Sequence, residues 1–151
     1  MEKWSGKVAI RGLTVVAALG LSVSAQQEQT ADSVWAGVFT DEQAKRGEAT
    51  YQQECSNCHG PGLEGADMTP PLTGGGFTSN WSDLTVGDLL ERIRLTMPAD
   101  RPGKLPRQQS LDVIAFILRA NAWPAGASEL PRDLAALKQI KIQANKPSGQ
   151  K

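Results

Sequence analysis

The chain has 151 residues, a length that suits one domain. Its sixteen basic and sixteen acidic side chains leave no net charge, and removing residues 1–25 leaves 13 bases and 15 acids, a net of −2. That balance argues against a general binder of nucleic acid or of anionic membrane.

The first residues read as a targeting segment. Lys3, Lys7 and Arg11 form a positive start, and Leu13 to Val23 is a short uncharged apolar stretch. Val23-Ser24-Ala25 resembles a cleavage site with small residues where they matter, so cleavage is expected after Ala25. The apolar stretch falls well short of the ~20 residues that span a bilayer, so no stable membrane span is expected after processing. No cysteine follows the cleavage site, which argues against a lipid anchor there. Residues 26–40 are polar and small, and read as a linker.

A helix is expected from Thr40, where Thr40 and Gln43 have capping-box spacing and Asp41 and Glu42 occupy the first turn. It should run to about Cys55. Residues 60–80 are rich in Gly, Pro and Thr and read as loop with at most a helical turn or two. The run Gly74-Gly75-Gly76 is not expected to form a stable helix. A second helix is expected over Val86 to Thr96, capped by Thr85 with Asp88 in its first turn, and with Leu89, Leu90 and Ile93 on one face. It stops before Pro98. A third is expected after Ser110, running to Ala120 or Asn121. Its apolar Val113, Ile114, Phe116, Ile117 and Leu118 should be buried on more than one side. Pro124 and Gly126 close a domain over 41–126. Residues 127–151 form a tail that could pack as a short helix or an arm, or stay disordered.

The run Cys55-Ser56-Asn57-Cys58-His59 carries the chemistry. It reads as a c-type haem attachment site. Two thiols on one turn can add to the two vinyl groups of one haem, and the adjacent histidine can reach the iron. These are the only cysteines and the only histidine, so the chain can carry one haem c, covalently bound through Cys55 and Cys58. A structural zinc site wants four ligands, usually Cys and His, and no further Cys or His exists to close one. A thioredoxin-like pair would want a βαβ context, which is not visible. A domain of about 86 residues is small for a protein-only core, and a covalent haem would supply the missing apolar surface. Covalent attachment also fits export, which in a bacterium means the periplasm.

In these features the chain resembles the class I c-type cytochromes. The resemblance covers roughly residues 41–124: the haem motif after a helix, Pro70-Pro71-Leu72 like the family's Pro-x-Leu segment, Met97-Pro98 like its distal Met-Pro, and Asp112-Val113-Ile114-Ala115-Phe116 on the last helix. It implies an all-α fold, a small cytochrome c-like helical bundle wrapped round one covalently attached haem. The first and last helices would cross closely, with Gly47 and Tyr51 facing Val113 and Phe116. It implies His59 as the proximal iron ligand, its other ring nitrogen held by the Pro70 carbonyl, with Pro71 leaving that register open by one residue. It implies Met97 as the distal ligand, since Met68, nine residues after His59, would struggle to pass round the haem. Tyr51, Leu72, Phe77, Trp81, Leu89, Ile93 and Ile117 are candidates for the pocket wall, and Trp81, Arg92 or Arg94 for a haem propionate.

The reading is a periplasmic electron carrier rather than an enzyme. Its partners would be protein donors such as a dehydrogenase, and acceptors such as an oxidase or another cytochrome. Residues 92–107 hold five bases and one acid, against six acids and two bases over 41–67, so the molecule should be dipolar and the basic cluster could steer docking. A haem subunit fixed to a quinoprotein-type dehydrogenase, with the tail as its arm, is the first alternative. A haem sensor or haem enzyme with an open sixth iron position is the second.

Overall fold

The computed structural model describes Met1 and residues 32–148. Met1 apart, the expected targeting segment and residues 26–31 of the expected linker lie outside the described residues. The described chain is all-α: a 3-10 turn at Val34–Ala36, then α1 (Asp41–Glu54), α2 (Ser56–His59), α3 (Gly74–Trp81), α4 (Val86–Thr96), α5 (Arg107–Ala120) and α6 (Leu134–Leu137). Among the described residues there is no β-strand, only isolated bridges, and no helix is long and apolar enough to cross a membrane.

Local signals set the starts of α1 and α4. Thr40 accepts the Gln43 N–H at 3.1 Å. The reciprocal half of that box does not form, because Gln43 turns inward. Its buried side chain accepts the Leu130 N–H through Oε1 at 2.9 Å. At α4 both halves form: the Asp88 N–H donates to Thr85 Oγ1 at 3.1 Å, and the Thr85 N–H donates to Asp88 Oδ2 at 2.8 Å. α5 begins at Arg107 rather than after Ser110. Ser110 is not a cap there. It lies inside the first turn, where its N–H and hydroxyl both donate to the Pro106 carbonyl, at 3.0 and 3.2 Å.

The frame is the crossing of α1 and α5. Gly47 meets the α5 backbone so closely that a Cβ there would lie 1.7 Å from the Asp112 carbonyl oxygen. One turn further along α1, Tyr51 packs on Phe116 with ring centroids 5.2 Å apart. Beside the crossing, Arg46 makes a two-pronged ion pair with the buried Asp112 (3.2 and 3.1 Å), and Gln108 adds a third bond at 2.9 Å.

Two regions differ from the sequence expectation, and the tail takes the packed form among the alternatives left open for it. α3 is helical although it opens on three glycines. Tertiary packing overrides local propensity: Phe77 is buried between Trp81 (6.0 Å) and Trp123 (6.4 Å). Residues 33–39, expected in a linker, bury Val34, Val38 and Phe39. The expected tail buries Leu130, Leu137, Ile140 and Ile142. These two segments pair with each other. The Val34 N–H donates to the Lys141 carbonyl and the Lys141 N–H to that of Asp32, both at 3.0 Å. The tail then runs on to α4, where Val86 N–H donates to the Ile140 carbonyl (2.9 Å) and Ile142 N–H to that of Leu84 (2.8 Å). The indoles of Trp35 and Trp123 both donate to the Gln143 carbonyl, at 2.9 and 3.0 Å. The apolar residues of 33–39 show no helical or strand period, whereas in the tail Leu134, Leu137 and Ile140 stand at spacings of three around the short α6; backbone pairing carries both segments into the core.

Candidate functional site

Cys55 ends α1 and starts α2, Cys58 lies within α2, and His59 ends it. The short α2 and its N-cap therefore carry both thiols and the imidazole. Cys55 is half-buried and packs against the core, Cys58 is exposed and His59 is buried. Burial, reinforced by the charges of Glu54 and Cys58, pushes the Cys55 thiol up to about 11. That is the opposite of the depressed thiol a dithiol oxidoreductase needs. Among the described residues, no three His, Cys, Asp or Glu side chains converge as a metal cage.

His59 is held at its ring and at its backbone. Its Nδ1 lies 3.0 Å from the Pro70 carbonyl, and its own carbonyl accepts the Gly65 N–H at 2.7 Å. A carbonyl can only accept, so Nδ1 carries the proton and Nε2 keeps its lone pair for another partner. The bond falls on Pro70, not Pro71. Just past the histidine, the Tyr51 hydroxyl donates to the Gly60 carbonyl at 2.6 Å and so ties α1 to the end of α2. Burial and the charges of Cys55 and Glu64 push that phenol up to about 12, so it stays a donor across the physiological range.

The loop from Gly60 to Thr73 owes its path to Gly65. That residue has φ +74°, and a Cβ there would come within 2.5 Å of the Thr69 carbonyl oxygen and 2.7 Å of the Pro71 nitrogen. Leu72 then returns to the loop, its N–H donating to the Leu63 carbonyl at 2.8 Å.

The other expected wall residues are apolar and inward. Phe77, Leu89, Ile93 and Ile117 are buried, while Leu72, Trp81 and Met97 are half-buried against the same core. Met97 caps the C-terminus of α4 with extended backbone. Met68 is 97% exposed. Of the basic cluster, Arg101 pairs with Glu54 (2.5 Å) and Asp100 (3.2 Å), and Arg107 donates twice to the Arg132 carbonyl. Arg92, Arg94 and Lys104 are exposed. Sequence reasoning missed Asn121, which bonds to both Leu72 and Gly74. Its only sequence signal is an asparagine at the end of an apolar helical period.

The fold and this motif define a c-type cytochrome of the class I kind, and haem c is the cofactor that such a domain implies. Residues 42–117, half of the chain, match the family described as cytochrome c oxidase, cbb3-type, subunit III, and the chain belongs to that family. No curated protein matches the chain. Among solved structures it is similar to the sulfane dehydrogenase SoxCD from Paracoccus pantotrophus, at 21% identity, covering 82% of this chain and 68% of that one, with a TM-score of 0.47.

The donor set fits haem c. Two thiols stand one turn apart, an imidazole has Nδ1 engaged and Nε2 available, and Cys55 packs against the apolar core.

Proposed function

We propose that the protein is an exported, mono-haem electron carrier that passes one electron at a time between redox proteins in the periplasm. The observation that supports this most is the His59–Pro70 hydrogen bond beside the chain's only two thiols. When bound, haem c supplies a one-electron ferrous–ferric couple. The residues serve that couple by holding still. Cys55 and Cys58 would form the two thioethers. His59 would offer Nε2 to the iron, with the Pro70 carbonyl fixing the ring's orientation and raising its basicity. The half-buried Met97 would supply a thioether ligand, which would raise the potential and close the position that gases or peroxide need. Tyr51, Leu72, Phe77, Trp81 and Ile93 exclude water around them. The exposed Arg92, Arg94 and Lys104 steer docking onto acidic partners, so electron transfer to the native partner should slow as salt rises.

A haem subunit held on a larger oxidoreductase is the second reading, and the family's description as an oxidase subunit favours it. The tail is a poor candidate for a free docking arm, because residues 130–142 are packed on the chain's own core. Co-elution with an enzyme on gel filtration of native extract would favour the subunit.

Visible spectra of the purified holoprotein test the ligand set. One haem per chain, a far-red ferric band of Met–iron ligation and no carbon monoxide shift are expected. Met97→Ala should abolish that band and bind carbon monoxide, while Met68→Ala should change neither. A carbon monoxide shift in the unaltered protein would instead move the reading to a haem sensor or enzyme.

A further inference from the structure

The Pro70 carbonyl must be aimed at His59 by something other than its own neighbourhood. Pro70 and Pro71 have no N–H, so neither can anchor the strand of chain they occupy. Upstream, Thr69 is tied only within a local turn, its N–H donating to the Ala66 carbonyl at 2.6 Å. Downstream, Leu72 reaches the Leu63 carbonyl through its N–H. The next two anchors come from one side chain on a different helix. Asn121, at the C-terminal end of α5, donates through Nδ2 to the Leu72 carbonyl at 2.9 Å and accepts the Gly74 N–H through Oδ1 at 3.0 Å. A further Nδ2 bond to the Ile117 carbonyl, also 2.9 Å, fixes the amide to its own helix. Both amide hydrogens and the oxygen are thus engaged. The partners also decide the amide's orientation, because two carbonyls require the NH2 and one N–H requires the oxygen.

Asn121 does a second job through the same contacts. Thr73, the residue before α3, makes no side-chain cap bond. The first N–H of α3 is satisfied instead by the Asn121 amide, 47 residues away. This cap from another helix lets a run of three glycines begin a helix that buries Phe77.

We infer that Asn121 is a positioning residue for His59: its amide fixes the Leu72–Gly74 backbone on α5, and the rigid proline pair transmits that position to the Pro70 carbonyl on Nδ1. The inference rests on His59 being the haem ligand. Without the tether the Nδ1–H···O=C bond loosens, the imidazole becomes a weaker donor and the ferric state loses more than the ferrous.

The test compares the haem-loaded protein with Asn121→Ala and Asn121→Asp. The aspartate keeps an acceptor for the Gly74 N–H but cannot donate to the Leu72 carbonyl. Arg46→Ala serves as a stability control, since it weakens the α1–α5 frame and touches neither Leu72 nor Gly74. Two quantities are read: solvent exchange of the His59 Nδ1 proton by NMR in the ferrous state, and the midpoint potential. Both Asn121 variants should exchange that proton about tenfold faster, as expected for losing one ordinary hydrogen bond's worth of restraint, and Asn121→Ala, which adds no charge, should shift the potential upward. The control should lower the melting temperature and leave both readouts alone. Unchanged exchange in Asn121→Asp, or an unchanged potential in Asn121→Ala, would overturn the inference, and so would an equal change in the control. Failure of the unaltered protein to carry haem on Cys55 and Cys58 would instead remove the ligand reading itself.

Discussion

The α1–α5 crossing and the loop from Gly60 to Thr73 meet at His59, but they are held in opposite ways. At the crossing, two helix backbones touch at Gly47 and Asp112, and the ion pair of half-exposed Arg46 with buried Asp112 closes the flank. In the loop, little is gained from side-chain burial beyond Leu63; backbone hydrogen bonds and one distant amide fix its path. The crossing is therefore sensitive to volume, and the loop is sensitive to backbone conformation and to its anchors. Stability resides mainly in the first and ligand geometry mainly in the second.

Gly47→Ala should break the crossing with the largest effect. Its Cβ would strike backbone rather than a flexible side chain, so a loss of about 3 kcal/mol or more is expected in urea or thermal melts. A loss under about 1 kcal/mol would mean the helices slide apart freely and volume is not the constraint. Gly65→Ala should lose about 2 kcal/mol, from a left-handed backbone plus contact with Thr69 and Pro71. Unlike Gly47→Ala, it should also disturb the His59 ring signals in NMR at temperatures where the chain is still folded. If both glycine variants disturb those signals alike, the division between frame and loop fails.

Arg46→Ala sharpens the comparison from the frame side. It strips the buried Asp112 of its charge partner but leaves the Gln108 bond. Arg46 is itself half-exposed, so the loss should lie between the surface and buried limits, at about 2 kcal/mol. Adding Asp112→Asn should recover part of it, which a double-mutant cycle would read.

The smallest effect is a pH dependence outside both regions. Lys138 and the Thr85 cap lower the Asp88 carboxyl to about 2. An ordinary aspartate in the unfolded chain titrates near 3.9. The unfolded state thus binds the proton more readily, and the Asp88 contribution is full above about pH 4 and fades as pH falls toward 2. Both side chains are about one-third exposed, so it should stay below about 1 kcal/mol. Asp88→Asn should flatten that portion of the stability–pH curve, and an unchanged slope would assign the acid sensitivity to other carboxylates.

What could be read in advance divides along the same line. The attachment motif, the α4 cap at Thr85 and Asp88, and the inward faces of α4 and α5 are local patterns, and they were legible. The all-α bundle followed from them and from the family resemblance. α3 was not legible because its first turn is three glycines and its cap comes from Asn121. The burial of Val34 and Phe39 was hidden for a related reason. Each of those residues is apolar in a stretch with no period, and its partner lies about a hundred positions along the chain.

The pairing of residues 32–34 with Lys141, and the shared Gln143 carbonyl under two tryptophans, make residues 32–35 and 141–143 one piece of the core. For anyone building this protein into a larger design, that sets the trimming limits. A fusion joined after Lys146 leaves every one of these bonds intact. A cut before Gln143 removes the common acceptor of Trp35 and Trp123, and the damage would surface in a segment distant in sequence, around Trp35.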